Sequence, residues 1–479
     1  MRIQEVPREF CAGDPGISDA AKQGRMNKGS INMIKARPVR IAPLSVLALL
    51  GGTASAAASG FSLNTQSAES LGAATAGAQA ARATPGNAYF NPAAIVGVEG
   101  VESSLSIVGA WNDTSYENAT GALFGTIPVA GDSAGETVIG DGVFPTGAIS
   151  FQLNDAIFAG VAVYAPFGFN TSYDDSSIAR YHGTFSQVVS GSVSGLIGIE
   201  IAEGWSIAGG PRLQYVDVDL EGAIDAAGIE SALLMTMAIP GTDDAFVDVS
   251  ANDWGVGYTV GFQGALGDRI TFGASFTSRI DHTLDGSATF DISTSASGQT
   301  LAGLGLFQDT DIASDFTTPG NIQFGVQVEM TPELRLLASA VQTRWKSFDQ
   351  LAINFENPVQ TPEVTTQNWN NTWAGAVGLE RDFGPASTMR LGVMYEEDPA
   401  NPAFSSPRVP GASRVWLAAG YSRDLSERAE LHLAASYVFA DTTPLNQSAA
   451  LPENLFRGSF TGDVDISGIV AAVGIDWKF

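Results

Sequence analysis

The stretch "NDWGVGYTVGFQGALGDRITFGASFTSRID", residues 252–281, decides the fold. It reads at period two on both sides of a tight break. Trp254, Val256, Tyr258, Val260 and Phe262 stand opposite Gly255, Gly257, Thr259, Gly261 and Gln263. Beyond Gly267-Asp268, Ile270, Phe272, Ala274, Phe276 and Ile280 share one face. Thr271, Gly273, Ser275, Thr277, Arg279 and Asp281 share the other. Successive side chains of a strand point to opposite faces, so this is a hairpin with one apolar face. What covers that face, another sheet or lipid, is the question for the rest of the chain.

The same reading yields fourteen strand-like segments: 101–111, 145–153, 156–168, 187–202, 204–220, 252–266, 269–285, 318–330, 333–346, 370–383, 387–397, 413–424, 427–440 and 464–479. Short turns follow the even-numbered segments and long loops the odd-numbered ones. An even strand count with alternating short and long connections is the pattern of a bacterial outer-membrane barrel. Composition agrees. Charged residues are 16% of the 479, against roughly 25% in a soluble domain. Yet no apolar run after residue 58 reaches the ~18 residues of a spanning helix. In hydrocarbon every backbone polar group must be paired, and closure removes the sheet edges. A soluble sandwich explains neither the loop pattern nor the N-terminus. Trp111, Trp205, Trp254, Trp345, Trp373, Trp416 and Trp477 lie near strand ends and are expected at the membrane interfaces.

Residues 35–58, "KARPVRIAPLSVLALLGGTASAAA", have a basic start, a short apolar stretch and small residues at the end. This pattern predicts a secretory signal peptide cleaved near Ala57 to Gly60. The segment before it fits no targeting element, and Met26 or Met33 is expected as the true start. Residues 1–58 hold the only cysteine, Cys11, so the mature chain has neither disulfide nor thiolate chemistry. It keeps 16 basic and 47 acidic residues, a formal −31, which excludes nucleic acid as a partner. The three histidines, His182, His282 and His432, show no metal-ligand spacing and accompany no nucleophile motif. No enzyme, metal site or cofactor is expected. Acidic clusters such as Asp174-Asp175, Asp243-Asp244 and Glu396-Glu397-Asp398 read as solvated loops.

Residues 59–100 precede the first strand. An Ala-rich helix is expected near Ser67–Arg82, and its small, weakly amphipathic surface needs something to pack in. "SGFSLNTQSAESLGAATAGAQA" (59–80) with "NAYFNPAAI" (87–95) resembles the N-terminus of the long-chain fatty acid transporter (FadL) family, which includes toluene and hydrocarbon channels. "TRWKSFDQL" (343–351) and "VPGASRVWLAAGYS" (409–422) resemble two further family motifs, with Gly411 where the family has an acid. The resemblance implies an all-β, 14-stranded antiparallel transmembrane β-barrel (101–479). It also implies a partly helical N-terminal hatch, or plug, in the lumen (59–100). That hatch would include Gly60, Phe61, Tyr89, Phe90, Asn91, Pro92 and Ala93, with Tyr89, Phe90 and Ile95 facing the lumen or pocket.

The resemblance further implies passive uptake of long-chain fatty acids or hydrocarbons. Ligands would be caught by outer loops, bound in the lumen and released sideways at a kink in the third strand. Pro166, Phe167 and Gly168 mark that kink, because proline removes a ladder donor and glycine weakens pairing. The loop groove is expected to use Ile229, Leu233, Leu234 and Met237, which fall at helical spacing, with Leu301, Leu304, Leu306 and Phe307. A carboxylate headgroup needs a cation. Some fatty-acid members carry cations where this chain has Gly222 and Ala352, so Arg212, Arg279, Arg344 and Lys346 are the remaining candidates. This departure leaves fatty acid and neutral hydrocarbon both open. Expected partners are hydrophobic small molecules, outer membrane lipids and lipopolysaccharide, and the barrel assembly machinery through the terminal Phe479. A monomer is expected. An open porin and a structural or adhesive barrel are the alternatives.

Overall fold

A computed structural model describes residues 60–136 and 138–479; the expected signal peptide, residues 1–58, lies outside them. Fourteen antiparallel strands form a closed barrel. In chain order they are Val101–Leu123, Gly142–Gln152, Ile157–Tyr164 continued by Gly168–Ser172, Phe185–Ala202, Trp205–Asp225, Asp244–Leu266, and Ile270–Thr277 continued by Ile280–Asp291. The remainder are Thr310–Thr318 continued by Asn321–Thr331, Leu334–Thr343, Thr372–Asp382, Ser387–Glu396, Arg414–Ser426, Ala429–Ala440 and Ser459–Lys478. The first strand pairs with the second from Val101↔Phe151 and with the fourteenth from Glu102↔Lys478, which closes the wall. Several strands exceed 20 residues, whereas about 10 cross a bilayer, so their upper ends continue as a collar around the mouth.

Alternation sets the two faces. Leu105, Ile107, Val256, Val377, Leu391 and Ile469 are 48–70% exposed, a belt that only lipid covers. Ser106, Ser150, Gln263 and Ser275 point inward and are buried. What buries them is the segment 60–100. Its backbone lies against the inner wall: Ala68 N–H donates to Ser106 Oγ (3.1 Å), Gly77 N–H to Ser339 Oγ (2.8 Å), and Ser275 Oγ–H to the Phe90 carbonyl (2.6 Å). The expected helix over Ser67–Arg82 reduces to one turn, Ala68–Leu71, followed by irregular turns. The reason is local. Ala74, Thr75 and Gly77 take positive φ, and wall side chains satisfy the backbone in place of helical bonds.

Two expectations about facing fail. The seventh strand carries one residue more than the sixth between the pairs Thr277↔Thr259 and Asp285↔Asn252. This bulge at Ser278-Arg279 inverts the phase above it. Ile280 therefore turns inward (1% exposed), while Arg279 and Asp281 turn outward with Phe276. Among the tryptophans, Trp111, Trp254, Trp373 and Trp477 are exposed, but Trp345 and Trp416 are buried inside the barrel.

Candidate functional site

The third strand breaks at Ala165–Phe167. Its lower part pairs with the fourth strand through Tyr164↔Ser192 and its upper part through Gly168↔Val189, leaving three residues opposite two. On its other side, pairing with the second strand stops at Gly147↔Val163. The N-terminal segment occupies the space so opened. Leu63 N–H donates to the Pro166 carbonyl (2.8 Å) and Gly168 N–H to the Phe61 carbonyl (2.9 Å). Gln66 accepts from Ala165 N–H (3.2 Å) and donates to the Ala165 carbonyl (2.5 Å), while its own carbonyl accepts from Thr146 Oγ–H (2.8 Å). Residues 61–66 thus stand in for the missing strand neighbour, as buried peptide groups require.

Phe61 anchors this repair. Its ring lies 4.6 Å from Trp345, 5.5 Å from Phe348, and 5.6–5.7 Å from Trp369, Phe167 and Phe316, centroid to centroid. Gly60, at φ +61°, admits no side chain, because a Cβ would sit 2.6 Å from the Trp369 ring. At the other end of the segment Asn91 is fully buried. Its Oδ1 accepts from Ala93 N–H (3.0 Å), and its Nδ2 donates to the Gln79 carbonyl (2.7 Å) and the Phe262 carbonyl (3.0 Å). Pro92 opens a short 3-10 turn, Pro92–Ile95, that sits against Gly261 of the sixth strand. Ile95 packs with Phe158 and Leu196 of the wall, not into open lumen; Tyr89 meets Tyr164 at 5.1 Å and Phe90 at 5.1 Å.

At the loop end lies a cavity of about 640 Å³. Ile224, Ile229, Val247, Phe307, Phe355 and Phe456 give it apolar walls, and Arg408 and Arg457 face it. Arg457 is matched by Glu363 (2.6 Å). The Nη1 of Arg408 donates to the Phe185 carbonyl, Ser186 Oγ and the Glu221 carbonyl, each 3.1 Å away. Among the described residues no carboxylate lies within ion-pair distance of Arg408. Burial pulls its pKa down to about 10, with Glu363 opposing and Arg457 adding, so it stays cationic at neutral pH. A Cβ at Gly222 would lie 3.2 Å from Arg408 Nη2, so the guanidinium fills the space this glycine leaves.

The family model described as outer membrane protein transport protein (OMPP1/FadL/TodX) matches residues 49–479. The chain belongs to this family. It is an outer membrane protein of a family that transports hydrophobic compounds, not a family of enzymes. The long-chain fatty acid transport protein of Escherichia coli is 21% identical over 424 residues, 81% of this chain and 89% of that one. A Pseudomonas aeruginosa FadL homologue of solved structure has TM-score 0.81 and 20% identity, covering 88% of this chain and 100% of its own. The Ralstonia pickettii toluene transporter TbuX has TM-score 0.62 and 16% identity, covering 87% and 99%. At these identities the solved structures establish the shared fold.

Set against the family pattern, the candidate residues separate. Of the four headgroup cations, only Arg212 points inward; it is 2% exposed and donates to the Ser278 carbonyl (3.0 Å). Arg279, Arg344 and Lys346 are exposed on the outer face, so they are not lumen residues. Bulge and strand breaks decided this, and the sequence pattern did not record them. In the loops, the helix Ala226–Leu234 ends at Met235 with φ +53°, so Met237 is not on it. Leu301 and Phe307 are buried in a core with Ala226 and Ala245, joining that helix to the helix Ala296–Ala302. Ile229 and Leu306 pack half-buried against this core, whereas Leu233, Leu234, Met237 and Leu304 are exposed.

The acidic cluster also divides. Glu396 is 2% exposed and meets Asn64 (2.5 Å) and Arg414 (3.7 Å), so it is a buried link to the N-terminal segment and not a solvated loop residue. The Asp398 carboxylate occupies the space a side chain at Gly411 would take. His432 lies between Ser422 Oγ (2.7 Å) and Asp476 (3.4 Å), a contact the sequence did not signal. Ser422 is 1% exposed and also accepts from Arg390, which leaves no approach for a substrate.

Proposed function

We propose that this protein takes up long-chain apolar acids passively, with fatty acids as the substrate class. The observation that carries this reading is the Arg408 guanidinium, cationic and without a carboxylate partner at the apolar cavity of the mouth. An alkyl chain leaving water for those walls gains roughly 25 cal/mol per Å² before entropic losses. A carboxylate placed at Arg408 gains a charge-assisted hydrogen bond at a half-buried guanidinium. The segment 60–100 acts as a hatch, which excludes a steady ion path. Release sideways into the bilayer follows when residues 61–66 withdraw from the third-strand break. No energy source is needed, since the ligand moves down its own solvation gradient. The exposed Phe479, at the end of the fourteenth strand, is read by the assembly machinery.

Arg408→Gln tests the substrate class. Cellular uptake of oleate is expected to fall about 10- to 100-fold, the loss of a charged hydrogen bond of about 1.5–3 kcal/mol. Uptake of an alkane of the same length is expected to stay unchanged. Equal loss of both, or of neither, overturns the carboxylate reading. Unchanged oleate uptake on deletion of the gene overturns transport itself, and a large steady conductance in planar bilayers overturns the hatch.

A further inference from the structure

The breaks in the seventh and eighth strands lie beside the 3-10 turn Trp345–Ser347 that follows the ninth. They leave a notch of about 690 Å³ on the outer face of the barrel. Arg279, Arg344 and Lys346 line it, with Asp281 as the one acid, at 3.5 Å from Arg279. Both partners of that pair are about two-thirds exposed, so it holds neither side chain firmly. Arg344 lies 5.6 Å over the Phe276 ring, an outward residue, which fixes the guanidinium on the lipid side. The remaining loop-side arginines, Arg180, Arg408, Arg414 and Arg457, are buried or half-buried. In a mature chain of formal charge −31, the exposed cations of this end are therefore gathered in one outward notch.

Its height in the membrane follows from register. Val256 lines the notch two residues below Trp254, and Gln342, two residues below Arg344, pairs with Trp373. Both tryptophans are exposed and mark the outer interface. The three cations thus sit at headgroup level. Beneath them an apolar groove of about 550 Å³ runs down the outer wall between Ile197, Ile207, Val260 and Ala274. Phe276 lines both notch and groove, so the two adjoin.

We infer that this notch and groove form a binding site for a phosphorylated outer-leaflet lipid, namely the lipid A part of lipopolysaccharide. Its phosphates meet Arg279, Arg344 and Lys346, and its acyl chains lie in the groove. Three cations beside one carboxylate fit a doubly phosphorylated headgroup. Substrate carboxylates in the lumen do not reach them.

The test uses the full-length barrel, purified in detergent and freed of lipid, with binding of lipid A measured by native mass spectrometry. Phosphorylated lipid A is expected to bind on the order of a hundredfold more tightly than its dephosphorylated form, a preference carried by three interfacial cations. The variant Arg279→Gln/Arg344→Gln/Lys346→Gln is expected to lose that preference while keeping the heat-modifiable migration of a folded barrel. Ala274→Phe, which fills the groove, is expected to weaken both forms alike. Competition by millimolar inorganic phosphate equal to that by lipid A overturns the lipid assignment. A wild type that does not discriminate, or a folded triple variant that still does, overturns the site. Should the triple variant not fold, the wild-type comparison decides alone.

Discussion

At Ala165–Phe167 the third strand breaks, and residues of the chain's own N-terminal segment enter the gap from inside. At Ser278-Arg279 the seventh strand breaks, and the gap faces the bilayer with Arg279, Arg344 and Lys346 on its rim. The repairs differ as well. In the first, peptide groups of the wall are satisfied by Leu63, Phe61 and Gln66, a segment that is not part of the wall. In the second, neighbouring strands satisfy each other: Ser278 N–H donates to the Tyr258 carbonyl and Tyr258 N–H to Ser278 Oγ, both at 3.0 Å. An unpaired backbone group within a membrane costs several kcal/mol, so each break must be closed. One closed by a separate segment can open when that segment moves. One closed by the strands themselves is permanent. This difference is the reason passage is proposed for the first and recognition of lipid for the second.

Four experiments break or sharpen this contrast. The largest effect is expected from Phe61→Ala, which removes the ring held by five aromatic neighbours. Loss of about 3–5 kcal/mol of packing should free residues 61–66. Cells carrying it should admit apolar dyes faster, and protease should clip ahead of Leu63; a tight, resistant variant breaks the contrast. Gln66→Ala leaves the Ala165 amide and carbonyl unpaired, at about 1–3 kcal/mol. Amide exchange should quicken at Ala165 while that of Ser278 stays unchanged, and equal quickening at both sites removes the distinction.

The third concerns the loop that follows the broken third strand. Burial first, then Arg457 and Arg408, lowers the His182 pKa to about 3. The folded form therefore holds the neutral ring. Its contribution is complete above the unfolded value near 6.5 and is lost as pH falls toward 3, at about 1.4 kcal/mol per unit. Proteolysis of residues 173–184 should rise between pH 6.5 and 4.5, and His182→Asn should flatten that rise. The smallest effect belongs to the second break. Arg279→Ala, at an exposed pair, should change barrel stability by under about 0.5 kcal/mol. A clear drop in melting temperature would make Arg279 part of the wall's repair and so erase the difference between the two breaks.

The sequence by itself determined the fourteen strands, their alternation of short and long connections and the outward apolar belt. These are local matters: period two is written residue by residue, and turn residues mark their own places. Pro166 announced the first break the same way, since a missing N–H is a property of one residue. The tertiary structure alone decided the rest. The bulge at Ser278-Arg279 appears only when the seventh strand is laid against the sixth, and it turned Arg279 outward, while Arg344 and Lys346 face out where the ninth strand gives way to a 3-10 turn. Arg408 fills the space left at Gly222, and Asp398 the space left at Gly411. The first replacement crosses 186 positions of sequence. A charge needs a place in space, not a position in the chain, so closure of the barrel and folding of its loops chose which residue supplies it.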